Sequence, residues 1–375
     1  MIKFLHCADL HLDSPLSALD IRHAQVRRNE FRAAFTSLTL YVKMNKIDFL
    51  LISGDLFDSG FVSKDTIALL KREFAAIPEC EIIIQPGNHD PYTSQSYYKR
   101  ADFSPNVHIF DTDELSCFDF PEKNTCVYGY AFTSQDLDRC PFADTHPTDS
   151  SRINILMAHG ELGKTESSNC PIPLDSIKNS GYDYIALGHY HDFSDIKQIG
   201  TTYYAYSGCL EGRGFDELGE KGAIIGAADK QESGELNFGA KFIRFSKRRY
   251  EVSKLDISGC RTNADAVGML ASLIAEKHYG EDVALRVKLS GSIAGDLNIS
   301  EEFIASQFPQ LFLLELENNT MPLLDAEQLQ RDPTIRGAFY SSLSSMLESS
   351  DMQERELAAS ALRYGLSALS GEDIQ

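Results

Sequence analysis

Five times within the first 191 residues, a short apolar run ends directly in a cluster of Asp, Asn and His. The runs are IKFLHCA from Ile2, DFLLIS from Asp48, EIIIQP from Glu81, INILMA from Ile153 and YIAL from Tyr184. The clusters that follow are Asp9-Leu10-His11, Gly54-Asp55-Leu56-Phe57-Asp58, Gly87-Asn88-His89-Asp90, His159-Gly160-Glu161 and Gly188-His189-Tyr190-His191. Short apolar runs rich in β-branched residues read as buried strands, and helical spacing around Ala24–Lys46 and over Lys64–Ala75 separates the first three. Strands alternating with helices specify a layered α/β domain. In such sheets ligands gather beyond the carboxyl ends of the strands, so five strand ends can converge on one point.

The clusters share a donor chemistry. Asp, Asn and His offer hard oxygens and imidazole nitrogen, which suit Mn²⁺, Fe or Zn²⁺. None contains cysteine, which argues against a structural zinc site. Asp-x-His and His-x-His each place both side chains on one face of an extended segment. Taken singly these pieces are ordinary: an Asn-His-Asp is a turn, and a histidine after a strand is a hydrogen-bonded core residue. Yet five of the ten histidines (His11, His89, His159, His189 and His191) stand at such strand ends. One carboxylate, Asp55, could bridge two ions held ~3.5–4 Å apart, as in two-metal hydrolases.

At 375 residues the chain has room for two or three domains, and 43% hydrophobic residues supply a real core. No apolar run approaches the ~20 residues that span a bilayer, so no membrane segment is expected. The N-terminal MIKFLHCADLH reaches polar residues too early for a secretory signal. Eight scattered cysteines without a C-x-x-C pair suit reduced thiols and a cytoplasmic location. The formal net charge of -20 opposes a general affinity for nucleic acid. One basic run, Lys241 to Lys254 (KFIRFSKRRYEVSK), offers a local exception, though a solvated strand and linker between domains is the favoured reading of it.

From 107 to 245 the pattern changes to short strands at Val107–Phe110, Thr125–Tyr130, Ile153–Ala158, Asp183–Leu187, Thr202–Tyr206, Ala223–Ala227 and Ala240–Phe245. These predict a second sheet packed on the first, with Ser134–Arg152 as a surface loop. Near 249 a smaller unit begins, read as strand, helix, strand, helix, strand up to Leu316. After Pro322 the tail is helical, with amphipathic stretches at Ile335–Leu347 and Gln353–Leu369. The expected domains are thus 1–248, 249–322 and 323–375. Within the tail, Phe339, Leu343, Met346 and Leu347 have a spacing that suits either a partner's groove or self-packing. Ala158–Thr165 (AHGELGKT) imitates a phosphate-binding loop, but Pro171 and Pro173 follow too soon for the helix such a loop must open.

The ordered set D-x-H, G-D-x-x-D, G-N-H-D, H and G-H-x-H, over residues 9–191, resembles the calcineurin-like metallophosphoesterase superfamily. CADLHLDSP, ISGDLFDSG, PGNHDPY, GHYHDF and YSGCLEGRGFDELGEKGA resemble its bacterial SbcD-like branch, including the YhaO-type DNA repair exonucleases. Arg363 to Leu366 extends the likeness to the tail. The resemblance implies a four-layer β-sandwich flanked by helices, with a small α/β cap domain and a helical C-terminal segment. It implies two divalent ions, Mn²⁺ foremost and Fe or Zn²⁺ as alternatives. Asp9, His11, Asp55 and His191 would hold the first, and Asp55, Asn88, His159 and His189 the second. His89 would contact the phosphate and protonate the leaving oxygen, while Asp90 would orient that imidazole or fix the turn. The role of Asp58 stays open.

On this likeness DNA is the expected substrate, an SbcC-like coiled-coil ATPase the expected partner, and a homodimer an open alternative. Two bound cations would outweigh Asp9 and Asp55, so a locally positive field is compatible with an acidic chain. Three function classes follow: a Mn²⁺-dependent DNA nuclease, a phosphoesterase for a nucleotide, phosphoprotein or lipid-linked phosphate, and a docking module for an ATPase.

Overall fold

In the first strand, β1 (Ile2–Cys7), side chains alternate between two interiors: Ile2 and Phe4 enter one, Leu5 and Cys7 the other. The next two strands, β2 (Phe49–Ser53) and β3 (Glu81–Gln85), repeat the alternation, with Phe49, Leu51 and Ile83 on the first side and Leu50, Ile52, Ile82 and Ile84 on the second. Strands buried on both faces must read as continuous apolar runs, which is why the sequence marks them so clearly.

The computed structural model describes residues 1–58, 62–231, 233–294, 297–322 and 326–369. The chain forms two compact units, Met1–Arg249 and Tyr250–Gln375. In the first unit the remaining strands are β4 (Val107–Ile109), β5 (Ser116–Phe120), β6 (Thr125–Gly129), β7 (Ile153–His159), β8 (Glu161–Leu162) and β9 (Pro171–Ile172). They continue with β10 (Tyr184–Gly188), β11 (Lys197–Ile199), β12 (Thr202–Tyr206), β13 (Gly222–Lys230) and β14 (Leu236–Arg244). The helices are α1 (Ile21–Asn45), α2 (Lys64–Ala75), α3 (Tyr97–Arg100) and α4 (Leu174–Lys178).

Two six-stranded sheets result, in the orders β14-β13-β1-β2-β3-β4 and β11-β12-β10-β7-β6-β5. The expected second sheet is therefore present. Strands β1 to β4 run parallel, as do β6, β7, β10 and β12, while β13, β14, β5 and β11 pair antiparallel at the sides. Phe4, Phe49, Leu51 and Ile83 pack between the sheets against Val127, Ile155, Met157, Tyr184 and Ala186. Helix α1 covers the outer face of the first sheet with Phe31, Ala34, Phe35, Leu38 and Val42, a stripe at helical spacing. It starts three residues before the expected Ala24 because the Asp20 carboxylate caps it, accepting from the N–H groups of Arg22 and His23. The outer face of the second sheet lies under Phe132, Phe142, Ile172, Ile177 and Tyr182.

The second unit has a three-stranded sheet of β15 (Arg249–Asp256), β16 (Val283–Ser290) and β18 (Leu313–Asn318), with β16 and β18 parallel. Strands β17 (Ser292–Ile293) and β19 (Met321–Pro322) pair beside it. Helix α5 (Asn263–Glu276) opens with a capping box between Thr262 and Asp265, and α6 (Glu301–Ser306) joins the same core through Ile304. The tail helices are α7 (Ala326–Arg331), α8 (Ile335–Leu347) and α9 (Met352–Leu369). Phe339, Leu343 and Leu347 pack with Tyr340, Leu362 and Leu366, so this stretch is used within the tail itself. The Arg363 side chain of the tail signature, and Ser59-Gly60 of ISGDLFDSG, lie outside the described residues. Among the described residues no helix is long and apolar enough to cross a membrane.

Candidate metal centre

Parallel pairing of β1 with β2 sets Cys7 opposite Ile52, and the backbone stays laced beyond the strand ends. The N–H groups of Asp9, His11 and Leu12 donate to the carbonyls of Gly54, Asp55 and Leu56 at 3.1, 3.0 and 3.0 Å. Asp9, His11 and Asp55 adopt left-handed backbone, with φ of 51°, 42° and 51°, and His189 follows with φ of 106°. Such conformations cost of order 1–3 kcal/mol each and persist where surrounding structure over-determines them, as this lacing does. Two glycines permit close approach. A Cβ on Gly54 would lie 2.0 Å from His159 Nδ1, and one on Gly87 would lie 2.2 Å from Asp55 Oδ1.

The strand ends then bring their side chains together. Three triads, Asp9–His11–His191, Asp9–Asp55–His159 and His11–Asp58–His89, each hold one donor atom per residue within 4.8 Å of the others. Asp55 Oδ2 stands between two of them, 3.8 Å from His11 Nε2 and 3.4 Å from His159 Nε2. His11 Nε2 faces His191 Nε2 at 3.2 Å, and Asn88 Oδ1 faces His159 Nε2 at 2.9 Å. His189 is adjacent, its ring 5.3 Å from that of His159, with Nε2 3.5 Å from Glu161 Oε1 and its N–H donating to Asp9.

Outer partners fix which nitrogen faces inward. His159 Nδ1 donates to the Ser53 carbonyl at 2.9 Å, and His191 Nδ1 donates to Glu217 Oε1 at 2.7 Å. Each arrangement turns an Nε2 lone pair toward the cluster, the second-sphere device that orients metal-binding histidines. Converging Nε2 and carboxylate lone pairs require a positive centre, a proton or a metal ion, so the donor set fits divalent cations.

Charge within the cluster is mutually compensating. Burial raises the Asp55 carboxyl, but the charge and hydrogen bond of His159, with the charges of His11 and His89, together outweigh it and hold Asp55 well below the ordinary carboxylate range. His159 is raised to about 9: burial opposes its protonation, and Asp55 and then Asp9 prevail. Burial lifts Asp9 to about 6, against the charges of His159 and His191. Burial also lowers His11 to about 3 and His189 to about 4. His89, less enclosed, is raised above its usual value, first by its hydrogen bond to Asp58.

The two roles left open for Asp90 separate in the structure. Its carboxylate accepts from the N–H groups of Gly87 at 2.8 Å and Phe57 at 3.0 Å and from the Tyr98 hydroxyl, which fixes the turn. Asp58 meets His89 instead, with Oδ1 3.2 Å from Nδ1. Sequence reasoning also missed a sixth strand end. Beyond β12, parallel to β10, the loop from Ser207 brings Arg213 and the buried Glu217 against His191. The local signals were Tyr206-Ser-Gly, which repeats the strand-Ser-Gly pattern of Ser53-Gly54, and the SbcD-like stretch from Tyr206 to Ala223, which contains both residues without marking a role for either.

After β7 the phosphate-loop imitation continues into the short strand β8 rather than a helix, and His159 faces the cluster. In the basic run, Arg244 pairs with Glu220 at 3.1 Å, while Arg248 and Lys247 meet Glu30 at 2.7 and 3.7 Å. All eight cysteines are free thiols.

Two mixed sheets with clustered Asp, Asn and His at parallel strand ends define a metal-dependent phosphoesterase architecture. The chain belongs to the calcineurin-like phosphoesterase family, whose sequence model matches residues 2–193. It is 26% identical over 303 residues to the uncharacterized metallophosphoesterase YhaO of Bacillus subtilis strain 168, covering 78% of this chain and 72% of that protein. It is 24% identical over 250 residues to the SbcD component of the nuclease SbcCD of Staphylococcus epidermidis, covering 58% of this chain and 64% of that protein.

Proposed function

We propose that the chain is a two-metal phosphodiesterase that hydrolyses DNA in repair, with Mn²⁺ as its metal and an SbcC-like coiled-coil ATPase as its partner. The carrying observation is Asp55 Oδ2, set within 4 Å of both His11 Nε2 and His159 Nε2 so that one carboxylate serves two ligand groups. Asp9, His11, Asp55 and His191 would hold one ion, and Asp55, Asn88, His159 and His189 the other. Two divalent ions bound there supply a positive field for the phosphodiester and bring the pKa of a bound water toward neutrality.

The chain's own groups do the rest. His89, 42% exposed at its side chain, reaches solvent and substrate while Asp58 anchors its Nδ1. Its Nε2 then delivers a proton to the departing oxygen, help worth ~10²–10⁴-fold. Asp90 holds the turn that carries Asn88 and His89. Support for DNA comes from the nuclease component among the relatives. The net charge of -20 favours the second reading, a non-polymeric phosphate ester.

The test is purified protein with Mn²⁺ on labelled duplex and single-stranded DNA, beside chromogenic monoester and diester substrates. Cleavage of DNA and the diester is expected. Monoester cleavage with inert DNA would overturn the nuclease reading and leave the metal chemistry standing.

A further inference from the structure

Arg213 and Glu217 lie some twenty residues beyond the end of the family match, yet they touch the centre. Glu217, 3% exposed, accepts from the Arg213 backbone N–H at 2.7 Å, from Arg213 Nε at 2.9 Å and from His191 Nδ1 at 2.7 Å. It therefore locks a guanidinium and an imidazole side by side, with Arg213 Nη2 3.2 Å from His191 Nδ1. On its far side, Arg213 Nη1 stands 3.6 Å from Asp58 Oδ2, within ion-pair range but beyond a normal hydrogen bond. Asp58 is the carboxylate that holds His89. The Arg213 side chain keeps 23% exposure, so it is not sealed from solvent.

We propose that Arg213 is a phosphate-contacting residue of this site and that Glu217 is the positioning residue that aims both Arg213 and His191. A planar guanidinium with two outer N–H groups matches the non-bridging oxygens of a phosphoester. Nη2 stays on Glu217 Oε1 at 2.9 Å, whereas Nη1, only loosely held by Asp58, can turn to substrate without breaking a close hydrogen bond. If Arg213 served only to neutralise Glu217 and Asp58, its removal would change stability and leave phosphate affinity alone. This inference rests on the phosphoesterase reading above, and the test separates the two.

Load the full chain with Mn²⁺, measure metal content, and titrate inorganic phosphate by calorimetry for wild type, Arg213→Gln, Arg213→Lys and Glu217→Gln. In parallel, measure kcat and KM on the chromogenic diester. Arg213→Gln should retain wild-type metal content, bind phosphate at least about tenfold more weakly and lose about 10²–10³ in kcat/KM. Glu217→Gln should in addition weaken Mn²⁺ binding by about 10–100-fold through His191. Wild-type phosphate affinity in Arg213→Gln, at wild-type metal content, would overturn the proposal. Should that variant unfold, Arg213→Lys decides, because it keeps the charge without the fork, and unchanged phosphate affinity there overturns the proposal too. If wild type binds phosphate but cleaves no ester, the enzymatic reading fails while the same affinities still decide the Arg213 contact. If it binds no phosphate at all, both fall.

Discussion

Asp58 Oδ1 lies 3.2 Å from His89 Nδ1, while Asp55, three residues earlier in the same loop, accepts the His89 backbone N–H through Oδ1 at 3.0 Å. One loop thus fixes both the ring and the backbone of the residue proposed as proton donor. His89→Asn should reduce turnover by about 10²–10⁴ while Mn²⁺ content stays at the wild-type level. Asp58→Asn keeps the ring but loosens its anchor, so its loss should be smaller than that of His89→Asn. Steady-state rates beside metal analysis check both, and metal loss in His89→Asn would show that His89 is a ligand.

Gly54 separates strand β2 from Asp55 and lies directly against the His159 ring. Gly54→Ala places a methyl group 2.0 Å from His159 Nδ1 on backbone with φ of 93°. His159 must then leave its bond to the Ser53 carbonyl, which misdirects Nε2. A loss on the order of 3 kcal/mol in stability is expected, with reduced Mn²⁺ stoichiometry. Gly163→Ala is the control: its φ is also positive, at 83°, but no atom lies within 4 Å of the added methyl. It should cost about 1–2 kcal/mol of backbone strain and leave metal binding intact. Equal damage in the two variants would show that strain alone, and not contact with His159, governs Gly54.

Metal binding should be visible in stability. Ligands that bind only the folded state add about 2.7 kcal/mol at a hundredfold excess over Kd. Asp55 lies between both ligand groups, so Asp55→Asn should abolish most of the Mn²⁺-dependent rise in Tm rather than half of it. Thermal melts across a Mn²⁺ titration check this. A half-sized response would mean that only one of the two groups depends on Asp55, and an undiminished one that neither does.

The legible parts of the sequence were those with a strong local cause. Strands β1, β2 and β3 are buried on both faces and stand out as apolar runs, whereas β5 (SCFDF) lies at a sheet edge with Ser116, Cys117 and Asp119 exposed. Its place comes from antiparallel pairing with β6, which no local pattern announces. The metal-type ligands were legible because Asp, Asn and His after strands are rare in that density. Arg213 and Glu217 were not, because such residues are common on any surface and only the parallel placement of β12 beside β10 carries them to His191. Likewise Asn88-His89-Asp90 could not reveal that the carboxylate meeting the imidazole comes from Asp58, on the exit loop of another strand.

Away from the centre, Glu30 on α1 joins the buried Arg27 to the segment that ends the first unit. Its carboxylate meets Arg27 Nη1 and Arg248 Nη2, each at 2.7 Å. Burial raises its pKa, but hydrogen bonds from Arg248 and then Arg27 outweigh this and hold it below the ordinary 4.5. With the folded value depressed, the stabilisation is complete above the unfolded pKa and is lost as pH falls through the folded one. Glu30→Gln should therefore cost about 3 kcal/mol near neutrality, because Arg27 stays buried with Glu211 and the Gly212 carbonyl as remaining partners. As pH falls below 4.5 and through the depressed folded value, the wild type loses the same interaction, so the gap between the two melting temperatures should narrow with acidification. Melts of both proteins at pH 7, 5 and 4 decide the matter: a gap that stays constant or widens on acidification would mean that Glu30 acts through packing, not through charge.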